Sequence, residues 1–278
     1  MSEIGGIFVS KKKIKLSKEK ETLLIPLYCK AKETSKDNGI IKDNKAKEII
    51  SQIEYNFNEL NIPHKTCVTL NIRAQKLDKY VNEFIQSNTT PLIIHLGCGL
   101  DNRYGRITNQ NIDFYDLDFK EVIELKKNFY QETDYYHFIA SSVTDYDWME
   151  EVQTEGQVMI VAEGLLMYLK EDKVKELFNK LCTRFKGAHF VFDAYSKYTA
   201  KNINKHASIK KTGADIHWGI DNPQEIEKWN QDIKFIEEWS FTDYDQVDKL
   251  SAAYKVAFKT AGLFKTAKKA HRILYYKL

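Results

Sequence analysis

The chain has 278 residues, of which 43% are hydrophobic and 29% are charged, and its formal net charge is +3 at pH 7. This length and apolar content suffice for one large α/β domain with a substantial core. The small net charge argues against a nucleic-acid partner, and the lack of an apolar window of about 18 residues argues against a membrane span.

The cysteines and the start of the chain bear on its compartment. Cys29, Cys67, Cys98 and Cys182 are scattered, without the C-x-x-C spacing of zinc or redox sites. This distribution predicts free thiols, as in a reducing cytoplasm. Met1–Gly6 does not resemble a secretory signal. We therefore expect a cytoplasmic protein that holds no metal.

Helical patterns fill the region before the first predicted strand. Lys11–Lys20 contains six lysines and is interpreted as a solvated arm. Apolar residues then recur at helical spacing in three stretches, which are Leu23–Ala31, Ala46–Leu60 and Leu77–Ile85. Residues 1–90 are therefore expected to form a helical extension that acts as a lid over a ligand bound by the strands that follow.

The stretch Pro91–Arg106 carries the clearest signal for a ligand site. Leu92–Leu96 is a short apolar run of the kind found in strands buried on both faces of a parallel sheet. Gly97 and Gly99 follow directly, and the lack of side chains there lets the backbone N–H groups approach a bound molecule. A ligand-binding loop is therefore expected after the first strand.

An acid at the end of the next strand indicates what this loop binds. Asn111–Asp118 is predicted to be a strand, and Asp118 follows Gly99 by about 20 residues, the spacing at which Rossmann-like folds place a carboxylate on a ribose. A dinucleotide-binding turn would have a third glycine where this chain has Asn102. S-adenosylmethionine has no pyrophosphate and does not require that glycine. A nicotinamide dehydrogenase and a catalytically inactive binding protein remain open alternatives here.

Strands and helices alternate through the rest of the chain. Further strands are predicted at Tyr135–Ala140, Gln157–Ala162, His189–Asp193 and Phe235–Phe241, with a last edge strand at Ile273–Lys277. Helices are predicted at Phe119–Phe129, Glu171–Phe185 and Val247–Phe258. This alternation predicts a parallel sheet with right-handed crossovers. Residues 196–230 are polar and lack a regular pattern.

Several segments together resemble the leucine carboxyl methyltransferase family. They are Glu21–Tyr28, His95–Asp101, Tyr115–Leu125, Ala162–Tyr168, Trp218–Pro223 and Glu238–Phe241, and they extend over nearly the whole chain. The similarity is greatest to the branch named after the tetracenomycin polyketide O-methyltransferase. It implies a Rossmann-like class I methyltransferase with a seven-stranded, mostly parallel sheet whose last strand is antiparallel. S-adenosyl-L-methionine would be the methyl donor and S-adenosyl-L-homocysteine the product.

The resemblance also implies contacts to the methionyl and ribose parts of this cofactor. Gly97 and Gly99 would lie against the methionine part, and Asp118 would bind the ribose. Arg73 matches the arginine that pairs with the methionyl carboxylate, a role that suits a guanidinium. Glu163 matches an acid close to the amino group of the cofactor or to the substrate.

Three further positions complete the implied cofactor set. Lys30 is similar to a lysine near the methionyl end, and Ser142 and Val143 fall where the family holds the adenine edge. The family often has Asp where this chain has Ser142, and serine is a weaker acceptor for an amino group. Lys120 replaces a usual proline, which changes only the first turn of a helix.

No residue stands out from the sequence as a catalytic base. Glu163, Tyr168 and His217 are the candidates, because they lie in or beside segments that would wall an acceptor pocket. A carboxylate acceptor needs no base at pH 7, whereas a phenol with a pKa of about 10 would gain from one. The sequence therefore favours carboxyl methylation slightly over hydroxyl methylation.

The acceptor is expected to be a small, polyketide-like molecule with a carboxyl or hydroxyl group. Residues 91–278 are interpreted as the methyltransferase core, with a substrate-lid insertion at about 196–230. Aromatic residues of the two lid segments suit a flat acceptor, namely Tyr28, Tyr195, Tyr198 and Trp218. A protein C-terminal carboxylate is the alternative acceptor. No pattern in the sequence indicates an oligomeric state.

Overall fold

The computed structural model describes residues 23–204 and 215–278. Two parts of the predicted lids, residues 1–22 and residues 205–214, lie outside the described residues. The first part includes Met1–Gly6, the arm at Lys11–Lys20 and the first two residues of the segment Glu21–Tyr28. No described helix is both long and apolar enough to cross a membrane.

The described residues form one mixed β-sheet. Its strands are β1 (Pro91–Leu96), β2 (Phe114–Asp118), β3 (Tyr136–Ala140), β4 (Gln157–Ala162), β5 (His189–Tyr195), β6 (Lys234–Ser240) and β7 (His271–Lys277). They are arranged in the order β3-β2-β1-β4-β5-β7-β6. Strands β1 to β5 are mutually parallel, and β7 is antiparallel to both of its neighbours. The predicted seven-stranded, mostly parallel fold is confirmed.

The predicted position of the last strand was wrong. β7 lies between β5 and β6, so β6 forms the edge of the sheet. The polarity of the two strands gives the reason. Ile273, Leu274 and Tyr276 of β7 are fully buried, whereas most residues of β6 are exposed or half-buried. A polar strand suits an edge, because its charges oppose pairing with another chain.

Helices precede the sheet and connect its strands. They are α1 (Leu24–Thr34), α2 (Asn44–Gln52), α3 (His64–Ser87), α4 (Arg103–Arg106), α5 (Lys120–Lys126), α6 (Trp148–Glu151), α7 (Glu171–Arg184), α8 (Lys197–Ile203), α9 (Ala252–Ala261) and α10 (Lys265–Ala270). Short 3₁₀ helices lie at Phe57–Leu60, Leu166–Tyr168, Pro223–Trp229, Phe241–Asp243 and Val247–Lys249. Asp43 is the N-cap of α2, and its side chain accepts a hydrogen bond from the N–H of Ala46 at 2.9 Å.

Three predicted helices have clearly different boundaries in the structure. The stretch Val247–Phe258 is divided into the 3₁₀ helix Val247–Lys249 and α9, which ends at Ala261. The stretch Ala46–Leu60 is divided into α2 and the 3₁₀ helix Phe57–Leu60. The stretch Leu77–Ile85 is the second half of α3, a helix of 24 residues that begins directly after Pro63. In the first half of α3, Asn71 and Arg73 are buried together with apolar residues such as Val68 and Ile72, so a search for apolar spacing does not reveal the full length of the helix.

Apolar side chains cover both faces of the sheet. Ile93, Met159 and Val191 point to a core shared with the N-terminal helices, which contribute residues such as Leu24 and Ile72. The alternate strand positions belong to a second core, formed with α7 and including Ile94, Ile160, Phe192, Leu177 and Phe178. Each fully buried side chain of this size stabilises the fold by about 1.5–3 kcal/mol. The sheet is therefore held from both sides, with its strand ends left for a site.

The insertion at 196–230 has more regular structure in its described residues, 196–204 and 215–230, than its composition predicts. It contains α8 and the 3₁₀ helix Pro223–Trp229. Trp218 is buried and its ring centroid lies 6.2 Å from that of Phe192, so this predicted lid residue belongs to the core. Tyr198, by contrast, is 78% exposed. The lid role of this segment, and of residues 1–90, stays a prediction.

Two of the cysteines form a disulfide, contrary to the prediction of free thiols. Cys29 of α1 and Cys67 of α3 are bonded, with their Cα atoms 4.9 Å apart. The pairing follows from the packing of α1 against α3, which also brings Asn71 to donate a hydrogen bond to the Cys29 carbonyl at 3.2 Å. Such a contact between distant segments has no local sequence signature. Cys98 and Cys182 are free and buried.

We expect Cys67→Ser to lower the free energy of unfolding by about 3–4 kcal/mol, because the bond restricts a loop of 38 residues in the unfolded chain. Urea denaturation with and without reductant measures this. Cys182→Ser is the control, since it removes a buried free thiol and leaves the effect of reductant intact. A wild-type unfolding curve that does not respond to reductant would contradict the prediction.

Candidate functional site

The carboxyl ends of four neighbouring parallel strands meet at one edge of the sheet. Asp118 ends β2, Gly97 follows β1, and Glu163 follows β4. Asp193 lies near the end of β5. The residue before it, Phe192, pairs in register with Ala162, the last residue of β4. In sheets of this type ligands bind at this edge, where the strand order reverses. The order β2-β1-β4-β5 therefore arranges these residues in a row.

The loop after β1 has little room for side chains. Gly97 has φ of 62° and Gly99 has φ of 54°, in the left-handed region that glycine adopts readily. A Cβ atom on Gly97 would lie 2.9 Å from a methyl carbon of Leu165, and one on Gly99 would lie 3.1 Å from Leu23. The two glycines thus let the backbone follow a course that other residues would block.

Asp118 is joined directly to this loop. Its Oδ2 accepts a hydrogen bond from the N–H of Gly99 at 2.8 Å, and its Oδ1 accepts one from the N–H of Phe119 at 2.7 Å. Burial raises the pKa of Asp118, and these two donors only partly offset that effect. Sequence analysis predicted that the loop and the acid lie side by side, and the structure brings them into contact.

A buried lysine supports the loop from below. Lys126 of α5 is fully buried, and its Nζ donates to the carbonyl oxygens of Asp101 at 2.8 Å and Gly99 at 3.3 Å. Asp116 of β2 supplies the counter charge at 2.8 Å from Nζ. The other oxygen of Asp116 lies 3.0 Å from Nδ1 of His95. Burial raises the pKa of Asp116, but Lys126 and His95 outweigh it and hold the pKa below its usual range.

Arg73 of α3 bridges two strand ends. Its Nε lies 3.1 Å from Oε1 of Glu163, and its Nη1 lies 2.9 Å from Oδ2 of Asp193. Arg103 pairs with the second oxygen of Glu163. Burial raises the pKa of Glu163, but Lys30, Arg73 and Arg103 outweigh it, so its pKa is lowered. Glu163 is therefore held as a carboxylate between two guanidinium groups.

Lys30 of α1 reaches the other end of the glycine loop. Its Nζ lies 2.7 Å from Oδ1 of Asp101, and the side chain is 3% exposed. Arg106 contacts both oxygens of Asp101 and also pairs with Asp78 and Asp43, all at 2.6–3.2 Å. Lys30, Arg73, Gly97, Gly99, Asp118 and Glu163, all predicted from the sequence, thus belong to one contiguous set of contacts around this edge.

A family model described as leucine carboxyl methyltransferase matches residues 24–182. The chain belongs to the leucine carboxyl methyltransferase family. The tetracenomycin polyketide synthesis O-methyltransferase TcmP of Streptomyces glaucescens is 32% identical over 231 residues, covering 83% of this chain and 86% of TcmP. The S-adenosyl-L-methionine-dependent methyltransferase dpfgK of Gibberella zeae is 27% identical over 256 residues, covering 84% of this chain and 86% of dpfgK.

Solved structures agree on the fold. A DUF574 family protein from Streptomyces avermitilis superposes with a TM-score of 0.61 at 10% identity, covering 94% of this chain and 99% of that one. The methyltransferase domain of bacterial CtHen1 gives a TM-score of 0.50 at 11% identity, covering 74% and 100%. Together with family membership, this confirms an S-adenosylmethionine-dependent O-methyltransferase of class I fold. The dehydrogenase alternative is not supported.

The edge fits the cofactor of this methyltransferase family. Two glycines form a cradle that a Cβ atom would fill, and a buried carboxylate, Asp118, lies next to it. Cations and acids from α1, α3 and β4 surround the end of the loop, as the charged methionyl groups require. A Cβ atom on Gly105 would lie 2.5 Å from the side-chain oxygen of Asn102. This turn therefore has a side chain at the position where a three-glycine dinucleotide turn has none.

The predicted adenine-edge residues lie in the loop after β3. Ser142 Oγ is 3.0 Å from Oγ1 of Thr144 and accepts a hydrogen bond from the Thr144 N–H at 3.3 Å. Val143 is buried, and its carbonyl accepts a hydrogen bond from the Trp148 indole at 3.4 Å. The Ser142 hydroxyl is thus engaged within its own turn, and the adenine-edge role of Ser142 and Val143 stays a prediction.

The three candidate catalytic residues are distributed over two places. Glu163 lies in the ion-pair network, and Tyr168 is half-buried nearby, where burial raises its pKa. His217 is exposed and lines a surface cleft of about 510 Å³ together with Lys197 and Trp218. A second cleft of about 430 Å³ lies between α3 and the end of β6. The linings of these two clefts do not include the glycine loop.

Several members of the network were missed by sequence analysis, among them Asp193, Arg103 and His271, whose Nε2 lies 2.8 Å from Oδ2 of Asp193. Asp193 interrupts the apolar strand His189–Tyr195, and a lone acid in a buried strand is a signal that could have identified it. Arg103 and His271 carry no comparable local signal, because their partners come from distant segments. Among residues 23–204 and 215–278, no group of three or more His, Cys, Asp or Glu side chains is arranged to hold a metal.

We expect Lys126→Met to lower the free energy of unfolding by about 3–5 kcal/mol, because it leaves the carboxylate of Asp116 buried without its cation. Chemical denaturation monitored by circular dichroism gives the value. Lys127→Met is the matched control: its pair with Glu132 is half exposed and contributes about 1 kcal/mol or less. Equal losses for the two variants would contradict a special role for Lys126.

Proposed function

We propose that this enzyme methylates a carboxyl or hydroxyl oxygen of a small, polyketide-like molecule. The name of TcmP, the relative with 32% identity over most of both chains, supports an acceptor of this class. A relative named leucine carboxyl methyltransferase 1, from Caenorhabditis elegans, is 21% identical over 199 residues and covers 56% of this chain. A protein C-terminal carboxylate therefore stays the alternative acceptor, with weaker support.

The observation that carries the proposal is the row of charged and glycine residues along the sheet edge. We assign Asp118 to the ribose hydroxyls and the loop Gly97–Gly99 to the methionine part. Nε and Nη1 of Arg73 already pair with Glu163 and Asp193. Its Nη2 has no hydrogen bond to the described residues, which leaves this nitrogen for the methionyl carboxylate.

Other residues complete the proposed cofactor site. Glu163, held as a carboxylate, suits the cationic amino group of the methionyl part, and its low pKa makes it a poor base for a phenol. Lys30 supports the loop through Asp101 and lies within the methionyl region. Ser142 and Val143 are assigned to the adenine edge. The cofactor supplies an activated methyl group, so these residues have to orient it and exclude water.

The acceptor is proposed to enter beyond β4, towards β5 and β7. Tyr195 is the last residue of β5, and Tyr168 lies in the short 3₁₀ helix Leu166–Tyr168 that follows β4, so both aromatic residues belong to this part of the sheet edge. Aromatic walls suit a flat, apolar acceptor. Residues 1–90 and 196–230 are the proposed lids. Trp218 of the second lid is buried, so it stabilises the core rather than forming part of an exposed wall.

The compartment stays a prediction. The sequence predicted a cytoplasmic protein partly from its scattered cysteines. The Cys29–Cys67 disulfide removes that support, because such bonds are rare in reducing compartments. The proposed partner is a small-molecule acceptor, and no nucleic-acid partner is proposed.

We expect Asp118→Ala to weaken S-adenosylmethionine binding by about 1.5–3 kcal/mol, the usual loss when charge-assisted hydrogen bonds to a ligand are removed. Titration calorimetry of the two proteins measures the difference. Asp113→Ala is the control, because this exposed acid lies at the opposite end of β2 and should leave the affinity unchanged. Equal affinities for wild type and Asp118→Ala would remove Asp118 from the site.

A labelling experiment tests the acceptor class. The enzyme is incubated with S-adenosylmethionine carrying a radiolabelled methyl group and with a cell lysate divided by size. We expect label in the small-molecule fraction, because the proposed lid segments would enclose a pocket rather than leave an open groove for a chain terminus. Label found only on macromolecules, and released by mild base as an ester would be, would favour the protein carboxylate instead.

A further inference from the structure

The disulfide between Cys29 and Cys67 closes a loop whose residues contact the proposed cofactor site. Cys29 lies in the middle of α1, and Cys67 lies in the first turn of α3. The chain between them contains the second half of α1, all of α2 and the 3₁₀ helix Phe57–Leu60. None of the roles assigned above uses this bond.

α1 contacts the glycine loop through residues on either side of Cys29 in the sequence. Lys30, the residue after Cys29, pairs with Asp101 through Nζ at 2.7 Å. At the start of the helix, Leu23 lies so close to Gly99 that a Cβ atom on this glycine would be 3.1 Å from a Leu23 methyl carbon. A shift of α1 therefore changes both the charge and the space at the glycine loop.

The loop that the bond closes makes a further contact through Asp43. Its Oδ2 lies 2.6 Å from Nη1 of Arg106, and its Oδ1 accepts a hydrogen bond from Nδ2 of Asn102 at 3.2 Å. The backbone N–H of Asp43 donates to Oγ1 of Thr34 at 2.8 Å, and Thr34 donates in turn to the carbonyl of Lys30 at 2.8 Å. α1 and the closed loop thus form one hydrogen-bonded unit against the residues that follow the two glycines.

The bonded pair is the part of the cysteine set that can undergo exchange. All four cysteines lie within the described residues. Cys98 and Cys182 are free and buried, and burial raises the pKa of both thiols, so neither readily forms the thiolate that exchange requires. Cys67 is 9% exposed, whereas Cys29 is fully buried. An external thiolate therefore reaches the sulfur of Cys67 first.

Loss of the bond changes how firmly this unit is held. Without it, α1 is held against α3 by non-covalent contacts only, so local opening of α1 and the loop becomes more frequent. Opening separates Lys30 and Asp43 from the glycine loop. Because only the closed form presents the complete site, the apparent dissociation constant for S-adenosylmethionine rises as the closed fraction falls.

We propose that the Cys29–Cys67 bond is a redox switch that sets the affinity for S-adenosylmethionine, which is tight in the bonded form and weaker in the dithiol form. The inference rests on the proposed roles of Lys30 and the glycine loop in cofactor binding. Disulfides that form in a reducing compartment are usually transient and redox-sensing. In the predicted cytoplasmic location, this bond would therefore be regulatory rather than permanent.

The proposed step is an exchange with an external dithiol. One thiolate of the dithiol attacks Sγ of Cys67, the bond between the two sulfurs breaks, and its electron pair goes to Sγ of Cys29, which takes up a proton. The second thiol of the dithiol loses its proton and attacks the mixed disulfide, and Cys67 leaves as a thiolate that is protonated in turn. The dithiol is oxidised by two electrons to a disulfide, and the protein gains two thiols.

Titration calorimetry with S-adenosylmethionine compares the oxidised wild type with the wild type reduced by dithiothreitol. We expect the reduced form to bind about 5-fold or more weakly, the lower end of the usual coupling between two sites, and reoxidation to restore the affinity. Adenosine, which lacks the methionyl part, should bind equally to both forms. Alkylation and mass spectrometry verify the two states, since two thiols are free in the oxidised form and all four cysteines are free in the reduced form.

Four variants locate the effect within the molecule. Cys67→Ser should bind like the reduced wild type and ignore dithiothreitol, whereas Cys182→Ser should respond as the wild type does. Lys30→Met should bind weakly even when oxidised and should respond less to reductant, because a contact through which the bond acts is already lost. Lys32→Met is its matched control, since Lys32 is an exposed residue of the same helix, and it should keep the wild-type response.

Equal affinities of the two wild-type forms would overturn the switch and leave the cofactor site in place. An equal loss of adenosine binding would also overturn it, because reduction would then act through the fold as a whole. A bond that glutathione cannot reduce would be a permanent tie and no switch. If the oxidised wild type does not bind S-adenosylmethionine, the proposed cofactor site is wrong and this inference fails with it. None of these measurements uses an acceptor, so the proposed acceptor class is tested separately.

Discussion

The buried ammonium group of Lys126 is the constraint on which the glycine loop after β1 depends. A cation in a protein interior is costly unless a counter charge and hydrogen-bond acceptors surround it. Here Asp116 supplies the charge, and the carbonyl groups of Gly99 and Asp101 supply the acceptors. The loop after β1 therefore takes its course only when β2 and α5 are in place. Its geometry is a property of three elements rather than of the glycines alone.

Much of the fold could be predicted from local pattern. The apolar runs that became β1, β2, β4 and β5 are short and end in, or are followed by, a glycine or an acid, and the run of β3 is followed by Ser141 and Ser142. Both the strands and their common edge therefore followed from the sequence. Gly99 and Asp118 could be placed together because parallel strands end at the same edge. Their contact needed no knowledge of the distant parts of the chain.

What could not be predicted depends on contacts between distant segments. Nothing near Arg73 indicates that α3 will place it against Glu163 and Asp193, 90 and 120 residues away. The same holds for His271, whose partner lies 78 residues earlier. The insertion of β7 between β5 and β6 is set by side-chain burial over the whole sheet. Residue spacing records local geometry only, and these contacts are tertiary.

The covalent bond between Cys29 and Cys67 has a consequence for how the site exchanges its ligands. α1 carries Lys30, α3 carries Arg73, and the bond joins the two helices one residue before Lys30 and six residues before Arg73. α1 cannot separate from α3 at this point unless the bond is reduced. Any exchange of ligands at the edge of the sheet therefore takes place while these two helices are tethered to each other.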